Sequence, residues 1–177
     1  MNVLERSVPQ LPENARSAKY PCEGTAMDLA SLVDPSRVVF GARANNKEQL
    51  LLDLASRAAA SLNLDPKPIF NALRAREELG STGLGEGFAL PHARIDGLDR
   101  FFGMFARLKR PVHFDSVDAK PVDLVFLLLS PATAQGEHLA ALAAVSRHLR
   151  DKELAARLRG ASSVAALCSL LCDRQHL

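Results

Sequence analysis

No apolar stretch in this 177-residue chain approaches the roughly 20 residues that a membrane-spanning helix needs, and its first residues lack the apolar core of a secretory leader. Membrane insertion is therefore not expected, and the cytoplasm is the expected compartment. Charge of one sign is equally scarce. With 22 Lys and Arg against 20 Asp and Glu the formal net charge is +2, and the basic residues are scattered, so no surface that neutralises a run of phosphates on nucleic acid is expected. Cysteine is sparse as well: Cys22, Cys168 and Cys172 form an odd set without framework spacing, which fits a reducing compartment better than a disulfide scaffold. Cys168, Cys172 and His176 recur every four residues, but small core residues and a terminal histidine are a simpler reading than a metal site. The one glycine-rich run lacks the lysine of a P-loop and does not fit a dinucleotide fingerprint, so neither ATP nor NAD is expected as a cofactor.

What is present is enough apolar material, 47% of residues, for one substantial core. Residues 1–26 mix prolines with polar residues and have no sustained period, so they read as a mobile extension. A globular domain is expected over residues 27–172 and a short tail over 173–177. Within the domain, Leu29, Leu32 and Val33 suggest a short helix, and Val38 to Phe40 a strand ending at Gly41. Asn46 can cap a helix carrying Leu50, Leu51, Leu54, Ala58 and Leu62. Asp65 and Pro66 open another, with Ile69, Ala72, Leu73 and Leu79 on one stripe and Gly80 as its stop. Three strands follow, Phe88 to Leu90, Phe101 to Leu108 and Val122 to Leu129, the last apolar at every position after Asp123, which argues for a central position. From Glu137 a helix places Leu139, Leu142, Val145 and Leu149 on one stripe, and two short helices close the domain, with His113 reading as a turn residue between strands. Helices at both ends of a small mixed sheet most economically cover its two faces, which predicts a three-layer α/β/α sandwich.

The chemistry concentrates in Arg76 to His92, REELGSTGLGEGFALPH. Gly80, Gly83, Gly85 and Gly87 permit crowded or left-handed backbone, so several N–H groups can point at one anion, and Ser81 and Thr82 add hydroxyl donors. Pro91 fixes φ and withholds an N–H, which places His92 at the exit of a strand. A neutral imidazole is a competent nucleophile near neutral pH, and phosphorylation at nitrogen gives a labile phosphoramidate suited to passing the group onward. Arg76, near the end of the preceding helix, supplies a permanent cation whose planar fork suits phosphate oxygens better than a lysine would. His138 opens the helix after the long strand, where unpaired N–H groups favour a nearby anion and a neutral ring. Taken singly, each of the three reads more simply as an ordinary surface or cap residue; their shared spacing carries the functional reading.

That spacing resembles the fructose and mannitol type of enzyme IIA in the bacterial phosphoenolpyruvate-dependent phosphotransferase system, through R-E-x-L-G-S-T-G-x-G-x-G-x-A-x-P-H at Arg76 to His92 and G-E-H-L at Gly136 to Leu139. PVDLVFLLL followed by the GEHL helix in a free-standing domain is most similar to the family's nitrogen-related regulatory branch, and the resemblance runs from about Met27 to Leu171. It implies a mixed sheet flanked by helices and a phosphotransferase component that uses no metal or cofactor. It implies His92 as the phosphorylated residue, Arg76 as stabiliser of the phosphoryl group, His138 as the assisting histidine, and a phosphate-binding loop drawn from Ser81, Thr82, Gly83 and Gly85. The implied donor is a nitrogen-type histidine phosphocarrier protein charged by enzyme I, and the implied targets include potassium transporters and sensor kinases. Transport of sugar, with phosphate passed to an enzyme IIB, is the alternative that shares the same His92 chemistry. A pure interaction module is disfavoured by the arginine and both histidines.

Overall fold

Alternation inside the run Val122 to Leu129 decides the architecture. The computed structural model describes residues 29–172, and there the strand β6 (Val122–Pro131) sends Leu124, Phe126 and Leu128 into one apolar cluster and Val125, Leu127 and Leu129 into the other. Successive strand residues point to opposite faces, so a stretch apolar at every position from Leu124 to Leu129 must be covered on both. β6 is central, as expected. On one side it pairs antiparallel with β5 (Phe102–Val112), which pairs parallel with the edge strand β1 (Val33–Ala42). On the other side it pairs parallel with β3 (Phe88–Ala89) and β4 (His92–Ile95), and β3 pairs antiparallel with β2 (Gly83–Gly85).

Two helices cover one face. α2 (Lys47–Leu62) is capped by the Asn46 side chain, which accepts from Gln49 N, and ends at Asn63 in the left-handed region. α3 (Pro66–Glu78) is capped by Asp65 with Pro66 in its first turn, and the turn after it closes at Gly80. The other face packs on α4 (Gly136–Leu149), α5 (Lys152–Gly160) and α6 (Val164–Cys172), with α1 (Leu29–Leu32) alongside. The expected three-layer sandwich is the observed one. No helix among the described residues is long and apolar enough to cross a membrane. The extension expected over 1–26, the tail expected over 173–177, Cys22 and His176 lie outside the described residues.

Several boundaries differ from expectation for physical reasons. β1 begins five residues before Val38 and includes Pro35, which an edge strand tolerates because its outer N–H groups need no ladder partner. Leu79 does not join the α3 stripe and is 85% exposed. At 100° per residue it stands about 80° from Ile69, whereas steps of four carry the buried line from Ile69 through Leu73 to Glu77. In α4 the buried line is His138, Ala141, Val145 and Leu149, while Leu139 is exposed and Leu142 half-buried. His92 is not at a strand exit. It begins β4, and Leu90 and Pro91 interrupt a single line, since Phe88 and Ala89 face Leu124 and Val125 in the same register that sets His92 and Ala93 opposite Leu128 and Leu129. The Pro91 carbonyl accepts from Leu128 N at 3.0 Å and bridges the gap.

Candidate functional site

β4 pairs only with β6, so its other edge is open, and a concave pocket of about 530 Å³ lies along it. α3 lines one wall with Ala72 and Arg76, four residues apart on one helical face; α4 lines the other with His138, Leu139 and Leu142. His92, Ala93 and Arg94 form the floor. Three chain-distant residues singled out from sequence, Arg76, His92 and His138, are thus brought together. The two imidazole centroids are 5.6 Å apart with the rings tilted by 51°.

The bonds around His92 define its chemistry. Its Nδ1 is 2.8 Å from the Leu90 carbonyl, which can only accept, so Nδ1 carries the proton. Nε2 is then the nitrogen with a free lone pair. Arg76 Nε–H donates to that lone pair at 2.9 Å, while Arg76 Nη1 donates to the Gly80 carbonyl at 2.9 Å and keeps the guanidinium in place. Burial holds the His92 imidazole below the ordinary histidine range, opposed by the Leu90 carbonyl, reinforced by the Arg76 charge and opposed by Glu77. His138 is only 6% exposed, and its Nδ1 lies 2.8 Å from Ser130 Oγ. Burial, then repulsion from His92 once that ring is itself protonated, and from the Arg94 and Arg76 charges, push it down to about 4. Both rings are therefore neutral at neutral pH, and the fixed positive charge in the pocket resides on the two arginines.

Ser81, Thr82, Gly83 and Gly85 of the glycine-rich loop, expected as phosphate-binding, are not among the residues that line this pocket. The loop's donors already have protein acceptors. Ser81 Oγ donates to the Phe114 carbonyl and accepts from Gly83 N, and Thr82 gives both its N–H and its hydroxyl to the Glu77 carboxylate. Gly85, Glu86 and Gly87 all take positive φ in the β2–β3 hairpin, and Glu86 N donates to Asp118 at 2.8 Å. Gly83 is required for close approach: a Cβ there would stand 2.5 Å from Ser116 Oγ and 2.9 Å from Ser116 Cα. The loop braces the site from outside it.

Four contributors were not singled out from sequence. Glu77 is buried at 7% side-chain exposure, accepts from Thr82, and pairs with Lys47 Nζ at 2.7 Å; Lys47 also reaches Asp115 at 3.1 Å. Helical spacing held its signal, since Glu77 continues the line of Ile69 and Leu73. Arg94 had a strand signal, because residues two apart share a face and His92 is two before it. Ser130, opposite Arg94 in the β4–β6 ladder, is marked only as a polar residue closing an apolar run. The Leu90 carbonyl had no sequence signal at all.

Comparison with known proteins adds independent findings. The family model described as "Phosphoenolpyruvate-dependent sugar phosphotransferase system, EIIA 2" matches residues 31–173. The chain is similar to the nitrogen regulatory protein of Bradyrhizobium diazoefficiens, at 43% identity over 145 residues, covering 82% of this chain and 95% of that protein. It is also similar to the nitrogen regulatory protein of Escherichia coli K12, at 36% identity over 152 residues, covering 85% and 93% respectively. Among solved structures, the nitrogen regulatory protein IIA-Ntr from Neisseria meningitidis superposes with a TM-score of 0.76 at 35% identity, covering 81% of this chain and 98% of that one.

Proposed function

Because this chain belongs to the enzyme IIA type 2 family of the phosphoenolpyruvate-dependent phosphotransferase system, in its nitrogen regulatory branch, we propose that it is a phosphoryl relay whose His92 accepts the group from a phosphohistidine on a nitrogen-type phosphocarrier protein. The observation that carries this reading is the pair of bonds on one ring: Nδ1–H to the Leu90 carbonyl and Arg76 Nε–H to Nε2. A nucleophile needs an unprotonated lone pair that can reach the incoming group; Nε2 is the unprotonated nitrogen, and it is released for attack when Arg76 moves to the phosphoryl oxygens.

In the transfer, the Nε2 lone pair forms a bond to phosphorus as the donor's nitrogen–phosphorus bond breaks and its electron pair returns to the donor imidazole. Arg76 shifts from Nε2 to the equatorial oxygens, where charge is spread in the loose transition state, and Arg94 adds a second positive charge on the pocket floor. The phosphorylated ring keeps its Nδ1 proton and gains positive character, which strengthens its bond to the Leu90 carbonyl. His138, neutral and facing the same pocket, hydrogen-bonds the phosphoryl group without competing for it.

Phosphorylation adds about two negative charges at this one face. Regulation follows from that change: targets such as potassium transporters or sensor kinases distinguish the two forms in the cytoplasm. The test is transfer of labelled phosphate from phosphoenolpyruvate through enzyme I and the nitrogen-type phosphocarrier. Wild type takes up label and His92→Ala does not; label persisting on His92→Ala assigns the acceptor elsewhere, with His138 next in line. Efficient passage of the label to a sugar-specific enzyme IIB would replace regulation by transport.

A further inference from the structure

One polar side chain sits where the rest of its strand face is apolar. Ser130 is fully buried near the end of β6, on the same face as Leu124, Phe126 and Leu128, and its Oγ is 2.8 Å from His138 Nδ1. We propose that Ser130 is a positioning residue for the site: its hydroxyl donates to His138 Nδ1 and so holds the ring in the tautomer whose Nε2–H faces the pocket and donates to an oxygen of the phosphoryl group on His92. The inference rests on the phosphoryl-relay reading above and specifies how the second histidine takes part.

The argument begins with the proton of the hydroxyl. A buried O–H left without an acceptor loses its hydration and gains nothing in return, and among the described residues His138 Nδ1 is the one hydrogen-bond partner Ser130 Oγ has. Were Nδ1 protonated, the serine would have to accept and its own proton would be orphaned. Donation by Ser130 satisfies the hydroxyl, and a neutral ring whose Nδ1 accepts must carry its hydrogen on Nε2. The ring is neutral because burial and the charges of Arg94 and Arg76 act against protonation.

The consequence for the anion is specific. With the opposite tautomer an Nε2 lone pair would face the phosphoryl oxygens and repel them. With this one, a fixed N–H donor stands beside His92, the two rings being 5.6 Å apart. Placement comes from the sheet: Arg94 pairs with Ser130 as His92 pairs with Leu128, so His92, Arg94 and Ser130 lie on the sheet face over which α4 packs.

The test reads the tautomer directly and the chemistry separately. Nitrogen-15 chemical shifts of the His138 ring in unphosphorylated wild type are expected to show protonated Nε2 and bare Nδ1. Ser130→Ala gives a mixture of tautomers and hydrolyses phospho-His92 about three- to tenfold faster, the loss expected for one hydrogen bond to the phosphoryl group, while Ser130→Thr restores both. A wild-type ring protonated on Nδ1, or a Ser130→Ala ring with the wild-type tautomer and unchanged hydrolysis, overturns the proposal. Because the ring shifts are read without phosphate, absence of phosphorylation on wild-type His92 would count against the relay reading and leave the tautomer result standing by itself.

Discussion

At the scale of single residues, the candidate site keeps two imidazoles uncharged beside two guanidiniums. Histidine is the side chain whose unperturbed value lies closest to neutrality, so modest burial decides its charge. His138 illustrates the sign of the linked stability. Its folded value of about 4 lies below the ordinary 6.5, so between these values the unfolded chain binds a proton that the folded one refuses. The stability this group contributes is complete above 6.5 and is lost as the pH falls toward 4. His92 is shifted the same way and adds to the effect. Acidification from neutrality to about pH 5, before most carboxylates titrate, is therefore expected to lower wild-type stability by up to ~2 kcal/mol through His138, roughly 5 °C in Tm. His138→Gln has no such proton to take up and shows a shallower slope of Tm against pH. Parallel slopes for the two proteins would mean that the fold does not hold His138 neutral.

At the scale of elements, α3 serves two faces through two rows of residues four apart. Ile69, Leu73 and Glu77 face the interior, and Ala72 and Arg76 face the pocket. The position of the Arg76 guanidinium is thus tied to that of the neighbouring Glu77 carboxylate. Although burial works against its charge, Lys47 is held above the usual lysine value by its bonds to Glu77 and Asp115. Glu77→Gln puts an amide donor against Lys47 and Thr82 N–H, and it is expected to lower stability by about 1–3 kcal/mol in urea unfolding and to slow phosphoryl uptake by His92. Unchanged values of both would show that the network is too solvated to anchor α3. The same element shows what could be read in advance and what could not. The Asp65 cap, Pro66 and the stop at Gly80 were legible because caps and breakers act locally. The central strand was legible from the six consecutive apolar residues Leu124 to Leu129. Glu77 was not, because a charged side chain reads as solvated until its cation, thirty residues earlier, is known to be adjacent. The loop of Ser81, Thr82 and Gly83 had the composition of an anion cradle, yet its donors are taken by Glu77, Phe114 and Ser81 itself, partners that only tertiary structure supplies. That Arg76, His92 and His138 would meet in one pocket was legible because their residue types and spacing suggest a shared chemistry, whereas the bond to the Leu90 carbonyl that leaves His92 Nε2 unprotonated is a backbone contact that no residue type announces.

At the scale of the whole molecule, the site is assembled from all three layers. Arg76 comes from the α2–α3 layer, His92 from the sheet and His138 from the layer of α4, and β6 is the strand against which both apolar clusters pack. No single layer holds the pocket. If the layers unfold together, the geometry at His92 lasts as long as the global fold and no longer. Leu127 tests this, because it is fully buried in the cluster on the α2–α3 face, away from His138. Leu127→Ala leaves a cavity behind the sheet and is expected to cost about 2–5 kcal/mol. In urea, the ring resonances of His92 and His138 are then expected to leave their native positions at the midpoint recorded by far-ultraviolet circular dichroism, with both midpoints lowered equally by the substitution. A His138 resonance that stays native after half the dichroism is gone would instead make the α4 face a separate folding unit, and the joining of its histidine to Arg76 a docking event between two units.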